Sequence, residues 1–422
     1  MSMRGVVIFG ILVSASFGVS GANFPSSAVP LPPNWSGPVF ALSQTYPAQP
    51  PNEPAPWMAI DPTISPTAYM GAILKYCLEG NVAIDWRVQD NPVRLWYHAP
   101  WLHWGNHGRE PIHGLTMERI SAAGELAPNQ PGGIQNWAVG MYNGTAAVSI
   151  GAVWQNPVAP NKAAARFRPG SVAVKLLFTE ATPEQVPFLA GSKVWPAYIY
   201  QDVNNATLGA PREVKPLRLL QVDIAVRDPR FDSTTGWVFG TFIYDGRRPG
   251  NNPYSKLRPL GLMWGNDPGV GPNELQRGAK IQQTRLNPAE RPIIRHYGWL
   301  NRLNGPVDNP MSSCLSCHSV AQWPVSAQMT PTQYPEGSAE WMSWFRNILA
   351  GQPFTAGNAA LDYSLQLTFG LQNLADWTNI CVKNANAPVT PSCPPPASAV
   401  NSVLDSVRRT GPIPLGFPVS RQ

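Results

Sequence analysis

Alternation is the feature that most constrains this chain. Leu220, Val222, Ile224 and Val226 alternate with Gln221, Asp223, Ala225 and Arg227, the period of a strand with one buried face. Residues 171–178, 195–200, 237–244 and 260–264 read as further strands, and 145–154 as one more. Gly, Pro, Asn and Asp clusters separate them. No long helices alternate with these strands, so a parallel sheet with crossover helices is disfavoured. The expected class is α+β, mainly β, with an antiparallel β-sandwich-like domain, because two packed sheets bury half-apolar strands on both inner faces. The 47 prolines reinforce this by removing backbone donors and breaking long helices, and the 16 tryptophans are expected to fill the core.

Five helices or segments frame the strands. Residues 1–22 have the positive start (Arg4), the short apolar run and the small residues Ser20-Gly21-Ala22 of a secretory signal peptide, with the cut expected after Ala22. Residues 23–57 form a Pro-rich extended arm, expected to lie over the surface. A helix is expected over 66–78, with Pro66 in its first position and Met70, Ile73, Leu74 and Cys77 on its buried face. Two more are expected over 338–350, capped by Ser338, and over 361–380, interrupted at Gly370. The division that follows is a β-rich domain over 58–300 and a small helical domain over 301–422 with a Pro-rich tail from Pro388. No stretch after residue 22 reaches the ~18–20 apolar residues of a spanning helix. A net charge of +6 without a Lys/Arg run is not a nucleic-acid footprint.

The chemistry is concentrated at Cys314-Leu315-Ser316-Cys317-His318. Cys-x-x-Cys-His is the attachment signature of haem c. Two intervening residues space the thiols to match the two porphyrin vinyl groups, and the following histidine donates an imidazole nitrogen to the iron. The chain resembles c-type cytochromes at these residues. The run Arg302-Leu303-Asn304-Gly305-Pro306-Val307-Asp308 before the motif, with Trp237-Val238-Phe239-Gly240-Thr241 and Gly261-Leu262-Met263-Trp264-Gly265, is similar to secreted bacterial proteins of the cytochrome c family. The resemblance implies one haem c per chain, held by Cys314 and Cys317 and ligated by His318. It also implies a periplasmic or secreted location and a redox partner there, and it brings no substrate. A thioredoxin-like dithiol would instead sit in a βαβ unit, and a four-ligand zinc site would need a second close cysteine pair.

The second axial ligand is open among Met329, Met342, His296, a histidine of the cluster His98, His103, His107 and His113, or none. That cluster is expected in loops, because Gly105 and Gly108 break the helical spacing of His103 and His107. Local packing, a share in a haem or substrate pocket, and an independent metal site are its three readings. Cys381 and Cys393 are the expected disulfide pair, leaving Cys77 as a buried free thiol, although other pairings are open. The leading function is electron transfer. The alternatives are a haem enzyme with an open iron site between the domains, using some of His98, His103, His107 and Arg109, and a ligand-binding β-domain carrying a structural or sensory haem. No Gly-rich phosphate loop, nucleophile elbow or metalloprotease helix is present.

Overall fold

A computed structural model describes residues 24–290, 297–382 and 393. The expected signal peptide, His296 and the tail from Pro388, apart from Cys393, lie outside the described residues.

The strands are β1 (Thr116–Met117), β2 (Asn136–Tyr142), β3 (Val172–Thr179), β4 (Val194–Tyr200), β5 (Arg212–Arg227), β6 (Trp237–Tyr244), β7 (Leu257–Met263) and β8 (Thr284–Leu286). They form one antiparallel sheet in the order β1-β2-β3-β5-β6-β7-β8, with β4 also paired to β5. A short pair, β9 (Gln322–Trp323) and β10 (Ala359–Ala360), stands apart. The expectation of two packed sheets is therefore corrected. The 16-residue β5 is the reason. Residues 212–218 pair with β4, and 218–226 pair with β3. One long strand thus joins hairpins that could otherwise have split into two layers. Bulges at Leu177/Phe178 and Thr241/Phe242 bend the sheet.

The two faces differ. Val139, Val174, Leu176, Val222, Ile224, Val238 and Gly240 share one face. It packs on the helix α1 (Pro66–Leu78), which has the bounds and buried positions read from its apolar spacing, although Leu74 is only half-buried. A Cβ on Gly240 would sit 3.1 Å from the Met70 methyl, so the helix crosses closely there. Loops and helices of the last third lie on the other face, through Ser364 on Tyr142, Gln366 on Gly140 and His318 on Phe239. Buried apolar residues from the sheet and from the last third form one continuous cluster.

Three helices differ from expectation. Residues Gly144–Val153 form the helix α2 instead of a strand. Asn143 caps it by accepting from the Ala146 N–H at 3.1 Å, and its small residues pack closely. After the short helices α3 (Pro272–Gln276) and α4 (Cys314–His318), α5 spans only Ala339–Met342, followed by a 3-10 turn over Ser343–Phe345. Ser338 is its cap, as expected. The helix α6 runs Leu365–Trp377 and continues into a π turn over Thr378–Val382. It starts late because Asp362 and Tyr363 take left-handed backbone (φ 48 and 66), and Ser364 then caps it. Gly370 does not interrupt it. A Cβ there would sit 2.9 Å from the Pro100 carbonyl oxygen, so this glycine lets the helix touch the 98–104 loop.

The Pro-rich arm lies against the histidine loop through Phe40 N–H to Ile112 O (2.9 Å) and Ser27 Oγ to Arg109 O (2.7 Å). The disulfide joins Cys381 and Cys393, and Cys77 is free and buried, as read from the sequence. Among the described residues no helix is long and apolar enough to cross a membrane.

Candidate haem-attachment site

The motif forms the single turn of α4. Ser313 and Ser316 cap it reciprocally, each side-chain oxygen accepting from the other's backbone N–H at 3.0 and 2.8 Å. The Ser313 hydroxyl also donates to Asn266 Oδ1 at 2.7 Å. Arg302, fully buried, donates to the carbonyls of Asn266 (2.7 Å), Asp267 (3.1 Å) and Val270 (2.7 Å). These bonds tie the loop before the motif to the loop after β7. Gly305 brings the same loop onto β5, since a Cβ would sit 2.2 Å from Gln221 Nε2.

His318 is held from two sides. Its Nδ1 donates to the Tyr363 carbonyl at 2.9 Å, and its ring lies 4.8 Å from the Phe239 ring. Burial pulls its pKa down to about 4, so the imidazole is neutral at pH 7. With Nδ1 carrying the proton, Nε2 presents a lone pair, the form in which imidazole ligates a metal.

The sheet face opposite the motif is unusually bare. Its register aligns Tyr142, Ala173, Ala225 and Phe239 in one row, and Gly140, Lys175, Asp223 and Thr241 in the next. Gly140, Ala173, Lys175, Asp223 and Ala225 are only half-buried although their strands are central. Cys314, Cys317 and His318 are half-buried as well. Two alanines thus leave a floor without bulk between Tyr142 and Phe239, while Gly140 in the next row makes room for the Gln366 side chain that lies on it.

Charges gather at one side of this floor. Lys175 Nζ lies 3.1 Å from Asp223 Oδ2, and Gln221 Nε2 donates to Asp223 and to Asp308 Oδ2 (3.3 Å). Burial works to lower the Lys175 pKa, but Glu118, Asp223 and Asp308 hold it well above its ordinary value. Burial raises Glu118 and Asp223. It would raise Asp308 too, but Lys175, Gln221 and Arg119 outweigh it and keep that carboxyl low. Burial and the neighbouring carboxylates push the Cys314 thiol well up and Cys317 up to about 12. Reactive dithiols need the opposite, a depressed thiol pKa. With the motif entered from a loop and not from a strand, this disfavours thioredoxin-like chemistry.

The other sequence candidates scatter. Met329 is 43% exposed. Met342 packs beside Gly271, its sulfur 3.5 Å from where a Cβ there would lie. His113 stacks on Trp195 (4.5 Å, 6° between planes), and His107 is exposed. His98 and His103 are buried beside Arg109, whose charge joins burial in lowering both, His103 to about 3. None of these makes a contact with His318 among the described residues. Sequence reasoning missed Tyr363, Phe239 and the Lys175 cluster. The signal was available in part: Ala173 with Lys175, and Asp223 with Ala225, are small or charged residues repeating on one face of two central strands.

Compared with known proteins, the chain matches no family model, no curated protein and no solved structure.

Proposed function

We propose that the protein is a secreted mono-haem c-type cytochrome that transfers electrons to or from a periplasmic or extracellular partner. The observation that carries this reading is the arrangement of the Cys-x-x-Cys-His turn. Two free, half-buried thiols adjoin a neutral, carbonyl-oriented histidine, which rests on Phe239 at the end of the sheet row holding Ala173 and Ala225. Cys314 and Cys317 would hold the porphyrin by thioether bonds, and His318 would ligate the iron. A bound haem c supplies a reversible one-electron couple. The chain's own contribution is orientation and field. Tyr363 and Phe239 fix the His318 ring, Arg302 and Asn266 fix the turn, and the carboxylates around Lys175 set the local charge.

The test is a visible spectrum of the purified secreted protein, oxidised, reduced and reduced with carbon monoxide. Sharp reduced-state bands with slow or absent carbon monoxide binding are expected for an electron carrier whose iron has two protein ligands. Rapid stoichiometric binding would replace this reading with that of a haem enzyme or sensor, and no haem spectrum at all would end both.

A further inference from the structure

Three arginines are buried among the described residues: Arg94, Arg109 and Arg302. Two have evident partners. Arg94 donates to Glu79 Oε2 at 2.5 Å and to the Tyr76 carbonyl at 2.6 Å, and lies 3.5 Å from Glu53. Arg302 donates to three carbonyls and rests against the rings of Trp299 and Phe345. Arg109 is 1% exposed, and neither of its terminal nitrogens has a hydrogen-bond partner among the described residues. Among the described residues no carboxylate acts on its charge; the titratable neighbours that do are Tyr46 and Tyr142. Glu110, the next residue, is turned away to accept the backbone N–H groups of Ile112 (2.9 Å), His113 and Leu115. His98 and His103 flank the guanidinium, each with an unpartnered Nδ1. An uncompensated buried cation costs several kcal/mol, and a guanidinium fork matches a carboxylate bidentately.

Position adds a second argument. Tyr142, whose backbone pairs with Tyr97 at the start of the loop that carries His98, His103 and Arg109, begins the sheet row that ends at Phe239 beneath His318. The row spans three strand spacings, about 14 Å, and its middle is the alanine floor. The Tyr142 hydroxyl bonds Ser364 at 2.9 Å, the residue after Tyr363. Arg109 and His318 therefore stand at opposite ends of one floor.

We infer that Arg109 is a carboxylate-binding residue, its partner either a propionate of the haem or a small free carboxylate. The propionate source rests on the haem reading above; the free-carboxylate source does not.

The full chain is prepared with and without the c-type maturation machinery, as wild type, Arg109→Gln and Arg109→Lys. On the haem-loaded protein, resonance Raman reads the propionate bending mode. A shift in Arg109→Gln that Arg109→Lys partly restores assigns the partner as the propionate. On the haem-free chain, calorimetric titration with sodium propionate and sodium formate reads binding. Saturable one-to-one binding by wild type, at least tenfold weaker in Arg109→Lys, assigns a free carboxylate and needs no foldable glutamine variant. An unmoved propionate mode together with no saturable binding overturns the inference. If maturation yields no covalent haem, the cytochrome reading fails and the titration alone decides Arg109.

Discussion

Asp362 lies where the fold meets the site, and its removal has a calculable cost. It is buried, and its carboxylate accepts three hydrogen bonds: Oδ1 from Trp237 Nε1 and Gly351 N–H, both 3.1 Å, and Oδ2 from Phe167 N–H at 2.8 Å. It thereby pins the residue before Tyr363, whose carbonyl orients His318. Asp362→Ala leaves three buried donors without an acceptor, each costing about 1–3 kcal/mol. Relief from burying a carboxylate offsets part of this, since burial is the leading cause of its raised pKa. Alanine at φ 48 adds ~1 kcal/mol of backbone strain. The expected net loss is about 3–4 kcal/mol. Asp362→Asn keeps Oδ1 and its two bonds, loses the one from Phe167, and tolerates the left-handed backbone; its expected loss is about 1–2 kcal/mol. Urea denaturation followed by tryptophan fluorescence reads both through the midpoint at constant slope. An alanine variant within ~1 kcal/mol of wild type, or an asparagine variant as costly as alanine, would refute this reasoning.

Four further outcomes are expected. The His103 pKa, lowered from 6.5 to about 3 by burial and Arg109, means the unfolded chain binds the proton first, so stability is lost as pH falls from about 6.5 towards 3. In His103→Gln the slope of stability against pH in that window should be smaller by about 1.4 kcal/mol per pH unit, and an unchanged slope in urea titrations across this range would count against it. Replacing Cys381 and Cys393 by serine should lower stability by about 2–3 kcal/mol, the loop they close being short; Cys77 should stay unreactive to thiol reagents until the chain unfolds, and native-state labelling of Cys77 would contradict its burial. In the haem-loaded protein Asp308→Asn should raise the midpoint potential by roughly 70 mV, from one unit charge at about 10 Å in an effective dielectric near 20, and spectroelectrochemistry showing a fall would reject the carboxylate cluster as the source of the local field.

Some of this was legible in the residues. The helix α1 announces itself through Pro66, its 3.6-residue apolar spacing and Gly80 just past its end. The strand β6 does so through an apolar run bounded by turn residues, and both lie within the read bounds. The helix α2 was misread because Val148, Ile150 and Val153 suggest a strand, while the deciding residue, the cap Asn143, precedes the run. The single sheet was hidden because pairing partners are long-range: nothing local says that β3 and β4 share β5. Cys314, Cys317 and His318 are candidates by spacing alone. Their setting was not legible, because Tyr363, Phe239 and Asp362 reach the motif only through the sheet face, and a charged residue such as Lys175 in an alternating strand reads equally well as facing solvent. Arg109 carried no local mark beyond its place in the histidine loop.

Covalent attachment at α4 is read from the fate of haem on denaturation. The protein, matured in a host with c-type assembly machinery, is run on a denaturing gel stained for haem peroxidase activity and weighed intact. Haem should stay with the wild-type chain and add the mass of one haem, and both should be lost completely in Cys314→Ser with Cys317→Ser. Haem that leaves the wild-type chain on denaturation, or that stays with the double variant, would contradict that attachment.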